Sequence, residues 1–281
     1  MFRRNYYYLV AGLPDIVLDQ KKLAVSVADF RAEIEYQLHS DDYLLVRLLF
    51  LPFDNTNLLN LLLKNKKSFI DIGNFSQHKL EEEIMEPSKL PGYMKQFIIA
   101  FKNENPVFQN YSWENQLTWL YYDHVLMVKN TFLKEWFTFN LHAKNIFSAF
   151  NIRNYKLPKD NVYIGDNYVT EALKRSSLKD FGLSNDLPFV EKLLSIDENT
   201  NAMEKEKAFD IIRWNFLNEL NTFNYFTIEV IIAFIIKLFM VDRWLKLDPE
   251  TGRKMLKQII TDLDKSYEFP KEFKVNEGRK Q

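Results

Sequence analysis

The stretch Trp113-Glu114-Asn115-Gln116-Leu117-Thr118-Trp119-Leu120-Tyr121-Tyr122-Asp123-His124-Val125-Leu126-Met127-Val128 sets the period of the chain. Trp113, Leu117, Leu120, Tyr121 and Val128 fall on one face at three- and four-residue spacing, the pattern of an amphipathic helix and not of a strand. Ser112 is a natural N-cap, and the pattern predicts one long helical stretch to about residue 154. Trp113, Trp119, Tyr121, Tyr122, Trp136, Phe137 and Phe139 are too many large rings for one core stripe of one helix. The stretch is therefore expected to be sandwiched between other helices, with a partner-facing surface as the alternative.

The same period returns along the rest of the chain, so the fold class is all-α. Residues 6–23 read as a short helix or strand broken by Gly12-Leu13-Pro14, and residues 26–51 as one or two helices with a break and new cap at Ser40-Asp41-Asp42. Pro52 is read as stopping that run, with Asp54 or Asn55 capping a helix to residue 63. Further helices are expected at 77–86, 93–101, 168–176, 187–196, 202–223 and 227–247. Asp248-Pro249-Glu250 has the composition of a helix start, and that last helix should end near residue 263. The most apolar run, residues 228–241, is interrupted by Glu229 and Lys237. A membrane span needs about 20 apolar residues, so this run predicts a buried helix of a soluble domain.

Composition removes several classes of function. The chain of 281 residues has no cysteine, which excludes thiolate nucleophiles and cysteine-ligated zinc or iron–sulfur centres. Lysine and arginine number 37 against 38 acids, without the basic excess that phosphate binding demands, and no nucleic-acid partner is expected. The cluster Lys64-Asn65-Lys66-Lys67 reads as the solvated end of a helix. Met1-Phe2-Arg3-Arg4 leads into tyrosines without the apolar run of a signal peptide.

Motifs that carry chemistry are nearly absent. His39, His78, His124 and His142 lack metal-ligand spacing, and His124 falls on the apolar face, where a core histidine is expected. No glycine-rich phosphate loop, Walker lysine or nucleophile elbow occurs. Asp41-Asp42 is the one pair suggestive of magnesium-binding aspartates in helical prenyl-transferring enzymes, but Tyr43-Leu44-Leu45 follows where a third acid is needed. Helix capping is the simpler role for the pair. Glu81-Glu82-Glu83 reads as a solvated face, and Glu204 with Lys207 as a weak surface pair. Accordingly no catalytic, cofactor-binding or metal residue is assigned, the chain is expected not to be an enzyme, and no cofactor is expected.

A repeated unit is legible. An apolar helix beginning Asp54-Asn55-Thr56-Asn57-Leu58-Leu59 leads to Phe69-Ile70-Asp71-Ile72-Gly73-Asn74-Phe75 and another helix. The same order returns with residues 140–150 and Val162-Tyr163-Ile164-Gly165-Asp166-Asn167-Tyr168, and the two Ile-Gly turns are 92 residues apart.

Two segments carry a family resemblance. Arg213-Trp214-Asn215-Phe216-Leu217-Asn218-Glu219-Leu220, with Phe223-Asn224-Tyr225-Phe226 and Asp242-Arg243-Trp244-Leu245-Lys246-Leu247-Asp248, looks like an uncharacterised bacterial family encoded within V-type ATPase operons. Phe139-Asn140-Leu141-His142-Ala143-Lys144-Asn145-Ile146-Phe147-Ser148-Ala149-Phe150-Asn151-Ile152-Arg153, followed by Tyr163-Ile164-Gly165-Asp166, resembles more remotely the C-type subunit of V-type/A-type ATPases, whose eukaryotic counterpart is the d-type subunit. Asn145 and Arg153 correspond there to the polar residues of its helix-then-turn pattern. Val241-Asp242-Arg243-Trp244 does not reproduce that family's C-terminal Asn-Leu-Arg pattern.

The resemblance implies a funnel-like array of repeated three-helix units, divided here as residues 1–105, 106–184 and 185–264; residues 265–281 are polar enough to be expected to fray. It implies a non-catalytic central-stalk component of a bacterial V-type ATPase, cytoplasmic and peripherally attached to the inner membrane through that complex. Its partners would be the shaft subunits, seated in the hollow, and the proteolipid ring. An assembly factor for that complex and an all-α magnesium-dependent enzyme are the alternative expectations.

Overall fold

The computed structural model describes residues 4–158, 161–199 and 201–247, and every regular element among them is a helix. The elements are α1 (Tyr7–Ala11), α2 (Val27–Gln37), α3 (Ser40–Leu48), α4 (Leu51–Leu62), α5 (Gln77–Met85) and α6 (Gly92–Lys102). They continue with α7 (Trp113–Val125), α8 (Thr131–Tyr155), α9 (Tyr168–Arg175), α10 (Phe189–Asp197), α11 (Ala202–Asn221) and α12 (Ile228–Leu247). The expected helix start at Asp248-Pro249-Glu250, the helix to residue 263 and the polar tail lie outside the described residues.

Side-chain caps mark most of the starts. Ser26, Ser76 and Ser112 accept backbone N–H groups at the heads of α2, α5 and α7, and Asn167 forms a full capping box with Thr170 at α9. Three expected boundaries are corrected. The long stretch after Ser112 is two helices, because the Asn130 side chain accepts from Leu133 N and starts α8 afresh. Leu126, Met127 and Val128 continue the apolar pattern through this break and so disguise it. Pro52 does not stop a helix but sits in the first turn of α4, where its missing N–H costs nothing, so neither Asp54 nor Asn55 is the cap. The cap of α3 is the His39 ring, which accepts from Asp41 N.

Two large cores and a small cluster of Trp119, Leu141 and Ile164 hold the array. The larger joins α2, α4, α6, α7 and the first half of α8 to α12. Within it Phe30 meets Phe234 edge-on at 4.9 Å, and Phe50 and Phe53 meet Phe239 at 5.2 and 5.4 Å. The second core lies between the second half of α8, α9 and α10. Trp119, Tyr121, Trp136, Phe137 and Phe139 are all buried, the sandwiched arrangement expected of the aromatic stretch. Ten side chains of α12 are buried, and the two charges that interrupt its apolar run each meet a neutral polar group, although Glu229 Oε2 is buried without a partner. Asn130 donates to Glu229, while Lys237 donates to Asn218 and lies 4.9 Å from the Trp214 ring centre. No helix among the described residues is long and apolar enough to cross a membrane.

Contacts of one kind occur beside both Ile-Gly turns, though at different positions relative to them: Ile70 lies two residues before Ile72-Gly73, while Ile164 belongs to Ile164-Gly165 itself. From α4, Asn57 Oδ1 accepts from Ile70 N and its Nδ2 donates to Ile70 O, both at 2.9 Å. From α8, Asn145 binds both backbone groups of Ile164 in the same way, both at 2.8 Å. Each asparagine amide thus acts as a strand edge for a loop that re-enters the protein before the next helix. Replacing Asn145 with alanine leaves a buried N–H and C=O unmatched and should cost about 2 kcal/mol or more in urea denaturation. Asn145→Asp should cost more at neutral pH, because a carboxylate cannot donate to Ile164 O and is buried there.

Glu83 corrects another expectation. Glu81 and Glu82 face solvent, but the Glu83 carboxylate is buried and accepts from Ser88 N at 2.7 Å and Lys89 N at 2.9 Å. Burial by itself raises its pKa, yet the two N–H groups and the Lys79 ammonium outweigh it and hold the carboxyl down at about 2. With the folded pKa below the unfolded one, this contribution is complete above about pH 4.5 and fades as the pH falls towards 2. Glu83→Gln should therefore lose about 1–2 kcal/mol at pH 7. Denaturation curves of the two proteins should converge on acidification towards pH 2.

Candidate functional site

A cleft of about 990 Å³ opens among α2, α4, α7, α8, α11 and α12 and is closed on one side by the 70–72 loop. Its apolar lining comes from Phe53, Phe137, Ile236, Phe239 and Met240, and its polar lining includes Tyr122, Asn140, Lys144, Arg213, Asp242 and Arg243.

The 70–72 loop is held from three directions. Asn57 grips Ile70, and Arg31 donates to the carbonyls of Ile72 and Gly73 while its guanidinium lies 4.1 Å from the Phe50 ring centre. Asp54, fully buried inside α4, accepts from Asn74 N, Phe75 N and the Asn74 side chain. Burial pushes the Asp54 carboxyl up to about 6, against the downward pull of those donors and of Arg31. Gly73 is needed here for space. A Cβ at this position would stand 2.4 Å from Asp54 Oδ1.

The wall formed by α11 and α12 is built around Asp210, a fully buried residue. Its Oδ2 accepts from Arg243 Nη2 at 2.5 Å and Trp244 Nε1 at 2.8 Å, and its Oδ1 accepts from Arg213 Nη1 at 3.1 Å. Arg243 also reaches Glu206 at 3.0 Å, which ties the two helices together beside the cleft. The Arg213 guanidinium lies 5.1 Å from the Trp136 ring centre, and its Nε is buried without a hydrogen-bond partner. Burial lowers the Arg213 pKa, with Asp210 opposing the shift. Burial also pushes the Tyr122 phenol up to about 12, and the Arg213 charge pulls it the other way.

The residues singled out in sequence have structural placements. Asn145 and Arg153 both lie on α8 and both turn inward to their own chain. Arg153 donates to the carbonyls of Ser176, Leu178 and Lys179, and its guanidinium lies 3.6 Å from the Phe181 ring centre. Asp42 is buried and accepts from the Tyr6 phenol, and Arg4 pairs with Asp41 at 3.2 Å and Asp42 at 3.5 Å. The aspartate pair thus ties the N-terminal segment to α3. His124 is partly buried against Tyr93, and His142 is buried near Tyr168, with its pKa lowered to about 4 by burial. Among the described residues no group of three or more His, Cys, Asp or Glu is placed to hold a metal ion. Sequence reasoning missed Asp54 as a loop anchor and missed Asp210 altogether. The one signal for Asp210 was Arg213, three residues on and on the same helix face.

A family model described as a protein of unknown function (DUF2764) matches residues 3–267, and the chain belongs to that family. No curated protein and no solved structure matches it.

The loop anchor predicts a steric effect. Gly73→Ala should drive Asp54 off its three donors and lower stability by about 1–3 kcal/mol in urea titration. Gly92→Ala, where nothing lies within 4 Å of the added carbon, should leave the midpoint unchanged or raise it slightly.

Proposed function

We propose that this member of the DUF2764 family is a non-catalytic, C/d-like central-stalk component of a bacterial V-type ATPase. In this reading it works in the cytoplasm, seats the rotor shaft in its cleft and rests on the proteolipid ring as part of a funnel of three-helix units. The observation that carries the reading is the cleft itself, open, aromatic-lined and framed by six helices. Such a surface suits a helix-in-groove contact, in which side chains three and four residues apart fill the groove. The asparagine clasp adds support, because a contact of the same kind occurs beside each Ile-Gly turn, over 13 residues in one case and 19 in the other.

A coupling element needs two faces, and a second apolar surface exists. At the α11–α12 turn Phe223, Tyr225 and Phe226 are exposed, with Tyr7 4.9 Å from Phe226 and Tyr8 exposed beside it. Phe226 stands at one end of α12 and the cleft residue Arg243 near the other, about 25 Å along the helix axis. Exposed aromatic clusters of this kind suit protein contacts. A V-type ATPase assembly factor would use the same two faces and differs only in leaving the finished complex. The magnesium-enzyme reading has less support, since Asp41 and Asp42 are already engaged by Arg4 and Tyr6.

Tagged protein isolated from its own host's membranes in mild detergent should bring down catalytic, shaft and proteolipid subunits in fixed stoichiometry by mass spectrometry. Recovery alone from the soluble fraction would reject the rotor assignment. Recovery with partly assembled complexes only would favour the assembly factor.

A further inference from the structure

We infer that the cleft is covered in the free protein by the chain's own segment 253–263, folded back as a helix along α12, and that a partner must displace this cover to enter. The displacement rests on the reading of the cleft as a seat for the shaft; the cover itself does not.

Charge selects no occupant for the cleft. Asp242 pairs with Lys246, and Arg213 and Arg243 are balanced by Asp210 and Glu206. The exposed charges left on the lining, Lys144 and Asp71, are one of each sign. What the cleft offers is apolar surface, and much of it belongs to α12. Ile236, Phe239, Met240 and Arg243 line it at three- and four-residue spacing, and Lys246 extends the row into the last turn. The helix therefore runs along the cleft, and the chain leaves it at Leu247, beside that lining.

The sequence that follows has the matching pattern. Asp248-Pro249-Glu250-Thr251-Gly252 puts a proline and a glycine into five residues, a length that suits the turn between two antiparallel helices. Met255, Leu256, Ile259, Ile260 and Leu263 then fall on one helical face, with Lys257, Gln258 and Thr261 opposite. A helix over residues 253–263 would be about 16 Å long, and the row from Ile236 to Lys246 spans about 15 Å. So short a helix is marginal by itself in water and needs a surface for its apolar face. The five-residue tether holds it beside the cleft at an effective concentration of about millimolar, an advantage that neither a second copy nor a free partner shares.

Because the chain has no cysteine, the cover can be measured in the full-length protein. Asn140 is half-buried on the cleft lining, and its side chain donates only to Trp136 O of its own helix. Asn140→Cys therefore places a single thiol in the cleft. A maleimide should label that thiol about tenfold faster once Ile259→Asp and Ile260→Asp are added, the factor for a cover closed in about nine molecules of ten. Gln258→Asp with Thr261→Asp, on the opposite face, should leave the rate unchanged. Oxidation supplies a second readout that needs no acidic substitution. The Asn140→Cys thiol should form a disulfide within one chain with at least one of Leu256→Cys, Ile259→Cys and Ile260→Cys, and with neither Gln258→Cys nor Thr261→Cys. Equal labelling rates, or no link within one chain from any of the apolar positions, would overturn the inference. In the detergent co-purification, Ile259→Asp with Ile260→Asp should raise recovery of the shaft partner. If labelling and linking behave as expected but no variant recovers that partner, the cover stands and the seat reading falls. If the partner is recovered while labelling rates are equal, the seat reading stands and the cover falls.

Discussion

A loop that turns back into a helical array carries peptide groups to places water does not reach, and with no strand beside it those groups need side-chain partners. Here a buried asparagine amide meets that need twice, Asn57 for Ile70 and Asn145 for Ile164. The amide is the one neutral side chain of this length with a donor and an acceptor fixed side by side. It can therefore imitate a neighbouring strand from a helix surface. Around the first clasp, Asp54 and Arg31 hold the next residues of the loop, so that a short irregular segment becomes a rigid wall.

That rigidity is what allows a cleft to exist. An open space of about 990 Å³ beside a core would be filled by collapse if its walls were soft. The 70–72 loop is pinned by buried hydrogen bonds on one side, and α11 and α12 are pinned to each other through Asp210 on the other. Both arrangements place a carboxylate inside the protein and surround it with donors, which is costly to disturb because any lost partner leaves an unmatched buried group. The resulting cleft is a preorganised surface, and preorganisation lowers the ordering cost that a bound partner must overcome.

The aromatic content has a related logic. With few glycines and many phenylalanines, the chain builds helix contacts from large rings, and pairs such as Phe139 with Phe216 at 4.4 Å link α8 to α11. Guanidinium groups lie over several of these rings, Arg31 over Phe50 and Arg153 over Phe181. The same two arginines donate to loop carbonyls, so one side chain serves both packing and loop closure.

The all-helical class, the buried nature of residues 228–241 and the sandwiched aromatic stretch were readable from periodicity, because burial on a helix imposes a three- and four-residue rhythm whatever its neighbours are. The two Ile-Gly turns were visible as a recurring motif, since each lies in a contiguous stretch of chain. The contacts beside those turns were not legible: the bonds from Asn57 and Asn145 span 13 and 19 residues, and periodicity marks neither asparagine as their source. The break before α8 was hidden because Leu126, Met127 and Val128 keep the apolar rhythm while the backbone turns. Glu83 looked like its neighbours Glu81 and Glu82, and only the return of residues 88–90 onto it made it a buried anchor. The cleft belonged wholly to the tertiary structure. Its walls come from helices separated by up to two hundred residues, and a concave surface is a relation between elements that no single stretch of sequence contains.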